Sequence, residues 1–122
     1  MIEMDCKITL SNGDAGVFTS DGTCEITQNG FVLVYTLDGD GCVLTYDGSS
    51  LKQERRGETP MTLVFKENAV TECTLGGAGL IGSFAVYTRR LKAVCGDGGA
   101  SVSLLYECAG ETVSLEIIAD KK

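Results

Sequence analysis

Hydrophobic and polar residues alternate along most of this chain. In the first segment, Ile2, Met4, Cys6, Ile8 and Leu10 share one parity, and the residues between them are polar or charged. Because successive side chains of a β-strand point to opposite faces, this alternation predicts a strand with one buried face. Later segments repeat the pattern between turns rich in glycine and aspartate, which indicates an antiparallel barrel or sandwich.

About ten segments carry this pattern, enough strands to close a barrel around a small interior. The predicted strands are residues 2–11, 17–28, 31–37, 42–47, 50–56, 61–66, 69–75, 80–94, 100–108 and 112–118. Asn29-Gly30 and Asp47-Gly48 are strong hairpin signals, and longer glycine-rich turns are predicted at 38–41 and 96–99. We therefore expect a single all-β domain over residues 1–122, a closed or nearly closed antiparallel barrel.

The long predicted strand 80–94 contains a change of parity. Phe84 and Val86 are even-numbered, whereas the apolar Leu91 and Ala93 are odd-numbered. The inward face must therefore switch near residues 88–90, and a β-bulge or a corner is the simplest account. A structural role is favoured, and the functional alternative is that the bend turns an arginine toward the interior.

The net charge limits the partners that we expect, and the N-terminal segment indicates the cellular compartment. Seventeen acidic and ten basic residues give a formal net charge of −7, so we expect no nucleic-acid partner. The chain starts directly with an acidic strand, without the basic and apolar regions of a signal segment. We therefore expect a cytoplasmic protein with free thiols. No apolar run approaches the roughly 20 residues of a membrane-spanning helix, so no membrane association is expected.

Metal sites and catalysis are disfavoured by the residue types present. The chain contains no histidine, and its six cysteines are far apart with no C-x-x-C pair. Zinc sites and the common nucleophile–histidine arrangements are therefore not expected, and we predict neither an enzyme nor a bound cofactor. The glycines at 77, 79 and 82 match a dinucleotide-binding motif, but β-branched and aromatic residues follow where that motif needs a helix.

Polar residues on inward parities are the remaining candidates for a site. In the strand 50–56, Arg55 shares its parity with Leu51 and Gln53, whereas Arg56 should face solvent. A guanidinium in a barrel interior needs an anionic partner. An internal salt bridge, to Glu72 or another carboxylate, is favoured over a bound ligand.

Tyrosines supply the other inward polar groups. Tyr35, Tyr46 and Tyr106 lie on the inward parity of their strands. Aromatic core packing is the simpler interpretation, and hydroxyls that line a cavity are the alternative. The candidate ligand contacts are Arg55, Thr88, Tyr46, Tyr106 and Arg90.

A family resemblance rests on the order of several short segments. Arg55-Arg56-Gly57 leads into 63–65, and the segments 88–91 and 101–106 follow. Over almost its full length the chain resembles the YwiB-like family of bacterial β-barrel proteins, in which an R-x-G turn precedes a strand ending in an aromatic residue, here Phe65. The resemblance implies a barrel of the calycin type, the architecture of lipocalins and fatty-acid-binding proteins, and a family without an established biochemical role. The segment 75–79 departs from the proline-containing corner of relatives.

Two classes of function remain open, with an enzyme in third place. The first is a small cytoplasmic barrel that binds a small, partly apolar, anionic ligand in its interior, with Arg55 as counter-ion. The second is a structural or protein-interaction module with a filled core and no small-molecule ligand. A cavity of a few hundred Å³ or more would favour the first.

Overall fold

The computed structural model describes residues 2–13, 16–77 and 80–122. In these residues ten strands form one closed antiparallel barrel, in which each strand pairs with its chain neighbours and β1 pairs with β10. The strands are β1 (Ile2–Ser11), β2 (Val17–Ile26), β3 (Phe31–Leu37), β4 (Asp40–Tyr46), β5 (Ser50–Arg56), β6 (Met61–Lys66), β7 (Ala69–Gly77), β8 (Leu80–Gly96), β9 (Gly99–Cys108) and β10 (Glu111–Lys121). The described residues contain no helix that is long and apolar enough to cross a membrane.

The predicted all-β barrel of antiparallel strands is confirmed. β2 ends at Ile26, before the predicted residue 28, β10 continues to Lys121, beyond the predicted residue 118, and two turns also differ. The turns at 38–41 and 96–99 are shorter than predicted, because β4 already begins at Asp40 and β8 continues to Gly96. Asp38 and Gly39 have φ values of 51° and 84°, the mirror-image turn whose twist matches the flanking strands. The shorter turn places Asp40 inside β4, paired with Leu37 of β3.

Alternation along the strands builds the core as expected. The barrel interior is occupied by a cluster of buried apolar side chains whose largest members are Tyr35, Phe31 and Phe65. The buried side chains include Cys6, Ile8, Leu44, Phe65 and Leu104. Phe84 and Leu115 are only partly buried and pack against that cluster.

The parity change in β8 is a bulge. Thr88 pairs with Tyr106 of β9 and Arg90 pairs with Leu105, so Arg89 is an extra residue in β8. Before the bulge Thr88 is buried, and after it Leu91 packs against the core, which confirms the predicted switch of face. The bulge bends the strand, as extra residues in a ladder do.

Beyond the bulge, β8 reaches across one end of the barrel. The Cys95 thiol donates a hydrogen bond to the carbonyl oxygen of Gly30 over 3.8 Å. Gly30 lies in the turn between β2 and β3, which are not neighbours of β8 in the sheet. This contact therefore connects β8 with the β2–β3 turn across that end of the barrel. We call the opposite end, which carries the β3–β4 and β5–β6 turns, the mouth.

The ladder between β6 and β7 is short. The paired residues are Met61 with Leu75 and Thr62 with Thr74, and the Gly76 amide donates to the Pro60 carbonyl over 2.8 Å, whereas β7 pairs with β8 along its full length. Further along, the Val64 amide donates to the Cys73 sulfur over 3.4 Å, and the Thr71 hydroxyl donates to the Val64 carbonyl. Side chains thus replace backbone pairs there. We call this region, around Val64, Thr71 and Cys73, the β6–β7 seam.

Candidate functional site

A cavity of about 580 Å³ opens at the mouth of the barrel. Residues from the β3–β4 turn, β4, β5, the β5–β6 turn, β6 and β7 line it. They are Asp38, Asp40, Arg55, Glu58, Thr59, Met61 and Leu75. We call this cavity the mouth pocket. It combines several carboxylates, one guanidinium and two apolar side chains, and so it can contact both charged and apolar parts of a ligand.

An ion pair lies at the inner side of the mouth pocket. The Arg55 Nε donates a hydrogen bond to Asp40 Oδ2 over 2.9 Å, and the two side chains are 28% and 30% exposed. Arg55 pairs with Cys42 of β4, and Asp40 lies two residues before Cys42 on the same face. The favoured prediction of an internal salt bridge is confirmed, but the partner is Asp40. Asp40 is thus the other carboxylate that the sequence analysis left open, and Glu72 is excluded as the partner because it is exposed on β7.

Gly57 leaves the space that the Asp40 carboxylate occupies. A Cβ at Gly57 would overlap the carboxylate atoms of Asp40. The φ of Gly57 lies outside the left-handed region. A glycine fits here because of this close approach to Asp40 and not because of backbone strain. This gives the R-x-G turn a physical reason: the glycine admits the carboxylate that pairs with the arginine two residues earlier.

Below the ion pair, a second polar contact leads into the core. Gln53, on the same face of β5 as Arg55, donates a hydrogen bond from Nε2 to the Tyr35 hydroxyl over 3.1 Å. Burial raises the pKa of Tyr35 to about 12, with a further increase from the Cys42 thiol beside it. The neutral phenol is therefore the form present at neutral pH. Arg55, Gln53 and Tyr35 form a line of polar groups from the mouth toward the interior.

The charges of the mouth pocket are unequal. The lining contains the carboxylates of Asp38, Asp40 and Glu58 and the single guanidinium of Arg55, and Asp38 and Glu58 are exposed. Asp40 engages only the Nε of Arg55, and the residues that the structure describes provide no acceptor for the two terminal nitrogens. Because a guanidinium donates in a planar fork, those nitrogens can bind a planar acceptor such as a carboxylate.

Comparison with solved structures identifies the fold. The crystal structure of the YwiB protein from Bacillus subtilis matches with a TM-score of 0.79, over 98% of this chain and 92% of that chain, at 15% sequence identity. This chain has the YwiB fold. No family model matches the sequence, and a search of curated proteins finds no match. The predicted YwiB-like resemblance is therefore confirmed for the fold.

Within this YwiB fold, two candidate residues lie in the interior away from the mouth pocket. Thr88 is fully buried, and its hydroxyl has no hydrogen-bond partner among the described residues. Tyr106 packs its ring against Phe65, with ring centroids 4.9 Å apart, and burial raises the pKa of its hydroxyl. Tyr106 therefore follows the simpler interpretation of aromatic packing, and Thr88 is an unpaired polar group in the core.

The other two candidates lie farther from the interior of the YwiB fold. Tyr46 packs against Phe31, with ring centroids 5.6 Å apart, and its hydroxyl donates to the Gly48 carbonyl at the end opposite the mouth. Arg90 is exposed, and the neighbouring Arg89 pairs with Glu107 on the surface. The hypothesis that the bend turns an arginine inward is therefore wrong, because the bulge returns an apolar residue, Leu91, to the core.

The YwiB fold thus brings only Arg55, of the five candidates, into the mouth pocket. The other lining residues were not candidates from the sequence: Asp38, Asp40, Glu58, Thr59, Met61 and Leu75. The signal for Asp40 was the Asp38-Gly39 dipeptide, which as a two-residue hairpin turn would have placed Asp40 on the inward face of β4. Within residues 2–13, 16–77 and 80–122, no group of three or more Cys, Asp, Glu or His side chains could hold a metal ion.

Proposed function

We propose that the protein is a cytoplasmic barrel that binds a small, partly apolar ligand with an anionic group, and that the ligand occupies the mouth pocket. The observation that carries this proposal is the cavity of about 580 Å³ with Arg55 in its lining. Ligand pockets in proteins typically measure about 300–1,000 Å³ and combine apolar walls with a few polar groups. The volume of the mouth pocket lies in this range, and its lining combines the apolar Met61 and Leu75 with a larger number of charged and polar side chains.

Each part of the ligand has a matching surface. The terminal nitrogens of Arg55, which no described residue engages, suit a carboxylate or a similar planar anion. Met61 and Leu75 provide an apolar wall for the rest of the molecule. The contact between Cys95 and Gly30 across the opposite end of the barrel supports entry from the mouth.

The proposal is one of binding and not of catalysis, in line with a sequence that contains no histidine. A barrel of ten antiparallel strands also supports the proposal that the fold is related to the calycin type. A shared architecture does not imply a shared function, so the proposed ligand follows from the lining of the mouth pocket and not from the likeness to lipocalins.

A nuclear magnetic resonance screen with small carboxylic acids that carry apolar groups tests the proposal. Binders should shift the amide signals of Arg55, Met61 and Leu75. Arg55→Gln should weaken the binding of these acids about tenfold, the loss expected for one charged hydrogen bond. Arg56→Gln is the matched control, because Arg56 is exposed and lies outside the lining of the mouth pocket. A screen in which no acid shifts these signals would refute the proposed ligand site.

The filled interior favours a second candidate, a protein-interaction module without a small-molecule ligand. Phe31, Tyr35 and Phe65 are among the buried side chains that occupy the barrel. A ligand inside such a core would have to displace them, and close-packed cores resist added volume. The same screen separates the two functions, since the interaction module predicts no saturable shifts at the mouth.

A further inference from the structure

The charge balance of the mouth pocket narrows the class of ligand. Asp40 already offsets the charge of Arg55, which leaves Asp38 and Glu58 uncompensated in the lining. A ligand that is only anionic would bind Arg55 while facing two carboxylates of the same sign, and such contacts oppose binding. A ligand that is only cationic would leave the terminal nitrogens of Arg55 without a partner.

Resting on the proposed function, we infer that the ligand is a zwitterion with an apolar side chain, either a free amino acid or a dipeptide. Its carboxylate binds the terminal nitrogens of Arg55, and its ammonium group lies between Asp38 and Glu58. Its side chain packs on Met61 and Leu75. This arrangement gives every charged group that lines the mouth pocket an opposite charge.

The guanidinium is held ready for this carboxylate. The bond from Arg55 Nε to Asp40 fixes one edge of the guanidinium plane, and the missing side chain at Gly57 gives Asp40 the room to make it. A planar fork that is already oriented loses less entropy when it binds a second carboxylate. Asp40 thus acts as a positioning residue, while Asp38 and Glu58 contribute charge.

Calorimetric titration at pH 7 with four probes tests the inference. Leucine and leucyl-leucine carry both charges and represent the two sources of the zwitterion, whereas N-acetylleucine lacks the ammonium group and leucinamide lacks the carboxylate. We expect leucine or leucyl-leucine to bind, and whichever is tighter identifies the source. Each blocked probe should bind about tenfold or more weakly than leucine, since each loses one charged contact.

Variants separate the two charged contacts. The double variant Asp38→Asn with Glu58→Gln should weaken the binding of leucine about tenfold. The affinity for N-acetylleucine should stay the same or increase. Asparagine tolerates the left-handed conformation of residue 38, so the turn should persist. Arg55→Gln should weaken the binding of both leucine and N-acetylleucine, and Arg56→Gln should change neither affinity.

Failure of this inference is distinct from failure of the proposed function. N-acetylleucine or leucinamide binding as tightly as leucine would overturn the zwitterion. So would a result in which none of the four probes binds while other carboxylic acids from the screen do, and the proposed ligand site would then stand. If neither the probes nor the screened acids bind at the mouth, both proposals are wrong.

Discussion

Arg55 and Arg56 are adjacent in sequence and have opposite surroundings. Arg55 is ion-paired and partly buried, whereas Arg56 is exposed. Arg55→Ala leaves the Asp40 carboxylate without its partner at a site that is about a third exposed to solvent. We expect a loss of about 1 kcal/mol in the free energy of unfolding for Arg55→Ala, and less than about 0.5 kcal/mol for Arg56→Ala. Urea denaturation of both variants measures the difference, and equal effects would contradict it.

Gly57 and Gly41 form a second matched pair. A Cβ at Gly57 would overlap the Asp40 carboxylate, whereas a Cβ at Gly41 has open space around it. Gly57→Ala should therefore push Asp40 away from Arg55 and destabilise the protein by about 1 kcal/mol, while Gly41→Ala is close to neutral. Denaturation midpoints show the two effects.

A double-mutant cycle locates the cause of the Gly57 effect. In an Asp40→Ala background, Gly57→Ala should lose most of its cost, because the carboxylate that it displaces is gone. An unchanged cost in that background would show that Gly57 acts through another contact.

Thr88 has a buried hydroxyl without a partner among the described residues. Valine has nearly the same shape and no hydroxyl, so Thr88→Val removes the desolvation cost of the unpaired group. We expect the variant to be more stable by about 1 kcal/mol. Thr88→Ser keeps the hydroxyl, loses a methyl group and should be less stable than the wild type. Destabilisation by Thr88→Val, seen in thermal unfolding, would mean that the hydroxyl binds an interior water molecule or ligand.

At the scale of strands, β6 and β7 share fewer paired residues than any other neighbouring strands of the described barrel. The Thr71 hydroxyl replaces a backbone donor to the Val64 carbonyl. Thr71→Val should cost about 1 kcal/mol, the net value of one hydrogen bond. Thr62→Val, where the backbone pairing with Thr74 is intact, is the control and should be nearly neutral.

Amide hydrogen exchange gives a second measurement of the seam. The Val64 amide donates to a sulfur, a weak acceptor, so it should exchange faster than the amides of the long β8–β9 ladder. Thr71→Val should accelerate its exchange further. Equal protection of Val64 and the β8–β9 amides would show that the seam is as stable as the rest of the sheet.

The sequence predicted most strands because period-two alternation is a local signal. The bulge in β8 was also predicted, since a change of parity is visible in the positions of Val86 and Leu91. The ion pair of Arg55 was predicted without its partner, because the partner depends on the length of the turn before β4. The β6–β7 seam has no comparable signal in the sequence, because Thr71 and Cys73 are ordinary residues for a strand. Their hydrogen bonds with the backbone of Val64 are visible only in the three-dimensional structure.

For the whole molecule, buried ionisable groups predict a loss of stability at alkaline pH. Burial raises the pKa of Cys24 to about 11 and that of Tyr35 to about 12. In the unfolded chain these groups ionise near pH 9 and 10. Above those values the unfolded state loses protons that the native state retains, so the free energy of unfolding falls as the pH rises toward 12.

Urea denaturation between pH 7 and pH 11 measures this loss. In Tyr35→Phe the part of the slope that belongs to the phenol should disappear, while the part due to the thiols remains. A free energy of unfolding that stays constant up to pH 11 would contradict the burial of these groups.

A closed barrel resists deformation through its hydrogen-bonded ladders, and its circumference yields first where the ladder is shortest. Between β6 and β7 the backbone rungs are Met61 with Leu75 and Thr62 with Thr74. Met61 and Leu75 are also the apolar wall of the mouth pocket. The wall that a ligand's hydrocarbon part would contact therefore lies on the shortest backbone ladder of the described barrel. Widening the rim there would part these two pairs and the hydrogen bond from the Gly76 amide to the Pro60 carbonyl, whereas β4 and β5, which carry Asp40 and Arg55, are joined by a longer ladder.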